Sequence, residues 1–248
     1  MLRGLYTAAT GLSAIMFRNE IETNNLTNAK TGGYKKEEVL FKSFQSRLNS
    51  MISYERPLTS ARVPIGKLGR GVKVDDIITY FDMQGELINT GRDFDLAING
   101  NGYLVLENSA GERFYTRNGS FDLNQNAQLT NDDGYLVMGE RGPVVIKGKL
   151  VDIHDDGKIY VDGEYIDTLL KVDLVEPKKY GGNLFVSDNP PTEATGKVLQ
   201  GYLEQSNAHP IEGMTKYLKN LRAYEANQKV VQAYDGTLEK LINEVGRV

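Results

Sequence analysis

At both ends of this chain apolar residues recur at alternating steps of four and three, and between the ends the repeat shortens to two. Steps of four and three keep one stripe of a helix facing a partner, whereas a period of two belongs to a strand with one buried face. The C-terminal stripe runs Tyr217, Leu221, Tyr224, Gln228, Val231, Asp235, Leu238, Ile242 and Val245, and only Gln228 and Asp235 break it. Pro210 suits a first helical turn, where its missing N–H would have no partner, and Glu212 favours the positive end of the dipole. The spacing therefore predicts a helix starting near 210. At the other end Leu5, Ala9, Leu12, Met16, Asn19, Thr23 and Leu26 keep the same rhythm, with Ala8 and Ile15 widening the stripe. The small residues Thr7, Ala8, Ala9, Thr10, Gly11, Ser13 and Ala14 would let another helix approach closely.

Each helix alone is marginal. Burying a Leu, Ile or Met side chain stabilises by roughly 1.5–3 kcal/mol, while ordering a residue costs about 1–2 kcal/mol of backbone entropy. Periodicity leaves two arrangements open: a helical hairpin within one chain, or a seam covered by neighbouring subunits. A soluble enzyme rarely needs such ends, but a subunit that polymerises through its termini does.

Between the ends, Gly71–Val74, Lys171–Leu174 and Lys197–Leu199 alternate as half-buried strands do. Asn99-Gly100, Asn101-Gly102, Asn118-Gly119, Asp133-Gly134, Asp156-Gly157 and Asp162-Gly163 supply dipeptides that tolerate the positive φ of tight hairpins. Residues 36–52 carry Leu40, Phe44, Leu48 and Ile52 at a four-residue spacing that favours a helix, although Val39 to Phe41 could begin a strand. Prolines and glycines over 54–71 read as an extended connector. The resulting fold class is α+β: long N- and C-terminal helices forming a coiled-coil domain, and a central antiparallel β-domain. Its divisions are an N-terminal helix over 1–30, a connector over 31–71, the β-domain over 72–204 and the C-terminal helix over 205–248.

The 248 residues suffice for one large domain or two. With 29 Lys and Arg against 33 Asp and Glu, the formal charge of -4 creates no global basic field, so nucleic acid is not an expected partner. Lys35-Lys36 and Lys178-Lys179 read as solvated turns. The absence of cysteine excludes disulfides and thiolate chemistry. No apolar run approaches the roughly 18 residues of a spanning helix, so no membrane insertion is expected, and no cleavable secretory signal is recognised.

Candidate chemistry is sparse. His154 sits in Asp152-Ile153-His154-Asp155-Asp156-Gly157, but the twelfth position of the loop that calcium would need is Gly163, so the segment reads as a hairpin turn. Asp93 and Asp95 could form a carboxylate pair acting on a glycan; turn or solvent positions are the simpler reading. Gly100 and Gly102 lack the third glycine of a dinucleotide loop, since position 105 is Val. No catalytic residue, cofactor or metal is assigned.

Several separated segments carry a resemblance. Leu5-Tyr6-Thr7-Ala8-Ala9-Thr10-Gly11-Leu12, Asn24-Asn25-Leu26-Thr27-Asn28 and Thr31-Gly32-Gly33-Tyr34-Lys35 are similar to the N-terminal signature of the bacterial flagellar rod and hook family. Asp95–Tyr103 and Tyr115–Phe121 resemble its central motifs. Gln200-Gly201-Tyr202-Leu203-Glu204-Gln205-Ser206-Asn207 and Arg222-Ala223-Tyr224-Glu225-Ala226-Asn227 resemble its C-terminal ones. The order is right and nearly the whole chain is covered. Departures are Ile15-Met16, where glutamines are usual, and Ala208-His209-Pro210 after Ser206-Asn207.

The resemblance implies a non-enzymatic rod subunit of the basal body, since hook subunits are generally longer. Terminal helices from many copies would pack as an inner tube, with itself and other rod and hook subunits as partners. Leu5, Ala9, Leu12, Met16, Leu26, Tyr217, Leu221, Tyr224, Val231, Leu238, Ile242 and Val245 would form that interface. It also implies passage through the flagellar type III export apparatus without a cleaved signal, and Phe44 and Leu48 have the spacing of that class's export motif. Gly134–Val144 looks more like the proximal-rod type, while 54–71 occupies the place of a stretch seen in distal-rod proteins; the balance favours the proximal type. The rival reading is a wall-glycan-active enzyme using Asp93 and Asp95.

Overall fold

The computed structural model describes the backbone of residues 2–43, 47–53, 61–68 and 71–245 and the side chains of 4–43 and 71–243. Among the described residues two helices, α1 (Leu2–Thr27) and α2 (Pro210–Val245), flank a succession of strands. The chain divides into one unit of Met1–Asn24, Glu37–Ile78 and Ile211–Val248, and a second of Asn25–Lys36 and Thr79–Pro210.

The first unit combines both helices with strands β1 (Glu37–Ser43), β2 (Arg47–Ser53), β3 (Ala61–Leu68) and β4 (Val72–Thr79). β1 pairs with β4, and β2 runs antiparallel to β3 with Met51 opposite Val63. The helical reading of 36–52 is therefore corrected to strands over its described residues, 37–43 and 47–52. A step of four is also two strand periods, so it cannot separate the two states, and Val39 and Phe41 favour the strand. Val39 is buried and its neighbour Leu40 exposed, as the alternation of a strand requires.

α1 and α2 run antiparallel and meet at separated points. A Cβ at Gly4 would overlap the Tyr234 ring, one at Gly11 would lie 3.7 Å from Asn227 Nδ2, and one at Gly213 would lie 4.0 Å from a Glu22 carboxylate oxygen. The expected coiled-coil domain is not formed. Along the start of α2 Asn220 is buried and Lys216 half-buried, each one residue before Leu221 and Tyr217 of the sequence stripe. The helix thus turns a polar face inward over this first stretch, so the apolar stripe does not run unbroken along the pair as knobs-into-holes packing requires.

The second unit holds β5 (Leu87–Asn89), β6 (Leu96–Asn99), β7 (Tyr103–Glu107), β8 (Arg113–Thr116), β9 (Asp122–Leu123), β10 (Leu129–Thr130) and β11 (Leu136–Gly139). These are followed by β12 (Gly142–Pro143), β13 (Val151–Ile153), β14 (Lys158–Val161), β15 (Glu164–Thr168), β16 (Lys171–Asp173) and β17 (Lys178–Gly181). β18 (Leu184–Val186), β19 (Thr192–Glu193), β20 (Lys197–Gln200) and β21 (Tyr202–Glu204) complete it. The main sheet runs β17-β18-β8-β7-β11-β10-β9. β7 also pairs with β16, so one of its edges serves β16 at Leu104 and β11 at Leu106. Further pairings are β6 with β20, β5 with β21, and the meander β13-β14-β15.

β7 is buried on both faces. Leu104 and Leu106 join a core with Leu96, Phe121, Leu129, Ile146 and Ile159, while Tyr103 and Val105 join Met138, Val172, Leu174 and Phe185. At the β14–β15 hairpin, Asp162 and Gly163 both take positive φ, 52° and 88°, as a tight antiparallel turn demands. Gly119 serves a different need: its carbonyl accepts the Leu96 N–H at 3.0 Å, and a Cβ there would overlap the Leu96 carbonyl.

Candidate assembly site

The second unit takes in the chain from Asn25 to Lys36 and again from Thr79 to Pro210, and a buried ionic node ties its first passage to the end of its last. Glu204, the last residue of β21, receives the Lys35 ammonium at 2.8 Å on one oxygen and the Arg117 guanidinium at 3.3 Å on the other. The side chains of Lys35, Glu204 and Arg117 are 0%, 1% and 6% exposed. Lys35 also donates to the Met83 carbonyl at 2.8 Å, and the Gly85 N–H donates to the Glu204 carboxylate at 3.2 Å. Arg117 lies 5.0 Å over the Tyr103 ring. Burial lowers the Lys35 pKa from its ordinary value, against the attraction and hydrogen bond of Glu204. Burial also pushes the Tyr103 phenol up to about 12.

Around this node the backbone is stitched. Gly33 donates to the Glu204 carbonyl at 2.8 Å. Its φ of +66° is one that L side chains rarely adopt, and a Cβ would strike the backbone of Arg117 and Asn118. Asn207 accepts the Lys36 N–H at 2.7 Å through Oδ1, donates through Nδ2 to the Tyr80 and Met83 carbonyls at 3.0 Å, and donates its own N–H to Tyr34 at 3.3 Å. Tyr34 donates to Asn25 at 3.1 Å, and the Lys179 ammonium lies 3.9 Å over its ring. Thr31 bonds Asn28 at 3.3 Å, and Ser206 accepts the Ala208 N–H at 3.1 Å.

Of the motif residues read from the sequence, Asn25, Thr31, Gly33, Tyr34, Lys35, Ser206 and Asn207 thus come together in and beside this region. Asn24 and Arg222 stand exposed elsewhere, while Leu26 and Tyr224 are half-buried. Reading Lys35 as part of a solvated turn is wrong: it is the most deeply buried charge of the node. Glu204 and Arg117 carried a signal that the sequence reading passed over, since each is a lone charge inside a motif of otherwise uncharged residues.

The predicted interface residues divide. Leu5 and Leu12 on α1 and Tyr224, Val231 and Leu238 on α2 are half-buried; Ala9, Met16, Tyr217, Leu221 and Ile242 are exposed. The side chain of Val245 lies outside the described residues. Phe44 lies outside them entirely, and Leu48 falls in β2 with its side chain likewise undescribed. α2 presents a second stripe, Ile211, Met214, Leu218 and Leu221, at 82%, 54%, 55% and 37% exposure.

A family model described as the flagellar hook protein FlgE/F/G D1 domain matches residues 97–161. The model for the flagellar basal body rod FlgEFG protein C-terminal region matches 199–244. The flagellar basal-body rod protein FlgG of Buchnera aphidicola subsp. Acyrthosiphon pisum is 31% identical over 97% of this chain and 99% of its own length. The chain belongs to the flagellar FlgE/F/G rod and hook protein family. The flagellar hook-basal body complex protein FlhO of Bacillus subtilis is 29% identical over the full length of both chains. FlgG of Borreliella burgdorferi is 28% identical over 96% of this chain and 97% of its own.

Within the FlgE/F/G frame, Arg117 falls in the D1 match and Glu204 in the C-terminal match, so the node joins the two. Asp93 and Asp95 stand in different surroundings: Asp93 is exposed, whereas Asp95 is 1% exposed and accepts the Thr90 hydroxyl at 2.6 Å. His154 lies in the β13–β14 turn, its ring 3.2 Å from the Asp152 carboxylate and its backbone N–H donating to the Lys158 carbonyl at 3.0 Å. Among the described residues no cluster of three or more His, Cys, Asp or Glu could hold a metal ion. No described helix is long and apolar enough to cross a membrane.

Proposed function

We propose that the terminal helices are the surface through which this structural subunit of the flagellar basal-body rod assembles with itself and with other rod and hook subunits, forming a shaft that transmits torque from motor to hook. The carrying observation is the stripe Ile211, Met214, Leu218 and Leu221, exposed on α2 at steps of three, four and three. A contiguous apolar stripe left in water marks an interaction surface, and this spacing fits a neighbouring helix. The role is mechanical and not catalytic, and the route to the rod is the flagellar type III export apparatus.

Sedimentation of the full-length chain tests this reading. The wild type should associate at high concentration, while Leu218→Glu and Leu221→Glu should weaken association by about tenfold or more with melting temperature unchanged, because both positions are exposed. A wild type that stays a compact monomer, or charged variants that associate equally well, would sink it. Wall-glycan cleavage should sit at background for the wild type and for Asp93→Ala and Asp95→Ala; activity lost in those variants would favour an enzyme.

A further inference from the structure

We infer that Lys35, Glu204 and Arg117 are positioning residues for assembly: their buried ionic node sets the register between the segment following α1 and the segment leading into α2. This inference rests on the assembly reading above. Three observations carry it. The node joins chain segments 169 and 87 residues apart, so no local turn can replace it. A buried pair is a poor source of stability, because desolvating both charges offsets most of their attraction; its distinguishing property is geometric. Finally, the bonds that knit the two segments, Gly33 to Glu204, Asn207 to Tyr34 and Lys36 to Asn207, all hold only in one alignment. Sliding the strand at 202–204 by one residue would turn Glu204 to the opposite face and present the uncharged Leu203 or Gln205 to Lys35 and Arg117. Apolar side chains would tolerate that slip, but two buried cations do not.

The test uses the full-length chain with the node neutralised as Lys35→Met, Arg117→Met and Glu204→Gln together. Gln keeps an acceptor for the Gly85 N–H, and Met83 keeps its bond from Asn207. The expected result is a folded protein of near-wild-type melting temperature, with amide exchange at Gly33, Lys36 and Asn207 accelerated about tenfold or more, while Val105 and Leu106 stay protected. Association by sedimentation should fall by a similar factor. Exchange at those three amides equal to wild type, or association equal to wild type at matched stability, would overturn the inference. Should the triple variant fail to fold, Glu204→Asp keeps every charge but shortens the reach; wild-type exchange there would overturn it equally. The two readings fail separately: a wild type that does not associate removes the assembly reading, whereas a neutral variant that associates normally removes only the node's role.

Discussion

Glu204 balances two cations in a place that water barely reaches. Removing its charge alone, as Glu204→Gln, leaves Lys35 and Arg117 buried without a counter-ion and should cost about 3–5 kcal/mol in urea-induced unfolding. Tyr103 makes a second, pH-dependent prediction. Its folded pKa of about 12 lies above the ordinary 10.0, so its contribution is complete below pH 10 and is lost as pH rises towards 12. Lys35 acts in the opposite sense: its depressed value means that its burial penalty is relieved as pH rises towards 10.5. Tyr103→Phe should therefore abolish a loss of about 2–3 kcal/mol between pH 10 and 12, followed by denaturation at fixed alkaline pH. The burial of Lys35 was not legible in the sequence. A lysine beside another lysine is nearly always solvated, and its partner stands 169 residues away.

At the scale of elements the sequence was readable where chemistry is local. α2 begins at Pro210, a residue suited to the first turn, and Asp162-Gly163 makes the turn between β14 and β15. Legibility failed where two periods coincide, as in β1 and β2. It failed again where the apolar stripe of α2 and its covered face part by one position, because spacing reports amphipathicity and not which neighbour arrives. Gly236 lies inside the continuous α2, and a Cβ there would meet nothing within 4 Å. Gly236→Ala should accordingly stabilise the helix by about 0.5–1 kcal/mol, seen as a small rise in melting temperature.

On the scale of the whole molecule, both core clusters lie within the second unit. A chain of residues 25–210 should therefore keep a β-rich far-UV spectrum, unfold cooperatively and remain monomeric; loss of cooperative unfolding would show that the β-body depends on the helices. The 31–71 stretch contributes strands to the first unit and residues 31–36 to the second. Prolines and glycines conceal such a division, since they mark breaks in the chain without naming the partners that the flanking strands find.

The distance along the chain between Lys35 and Glu204 also governs time. Loop-closure entropy must be met before a contact this remote returns anything, and topologies rich in such contacts fold slowly. A chain released amino end first presents Lys35 long before Glu204, so the β-body stays unsealed until nearly all of it has emerged. Through that interval Lys35 has no carboxylate to meet, and the seam between the segment after α1 and the segment before α2 stays open.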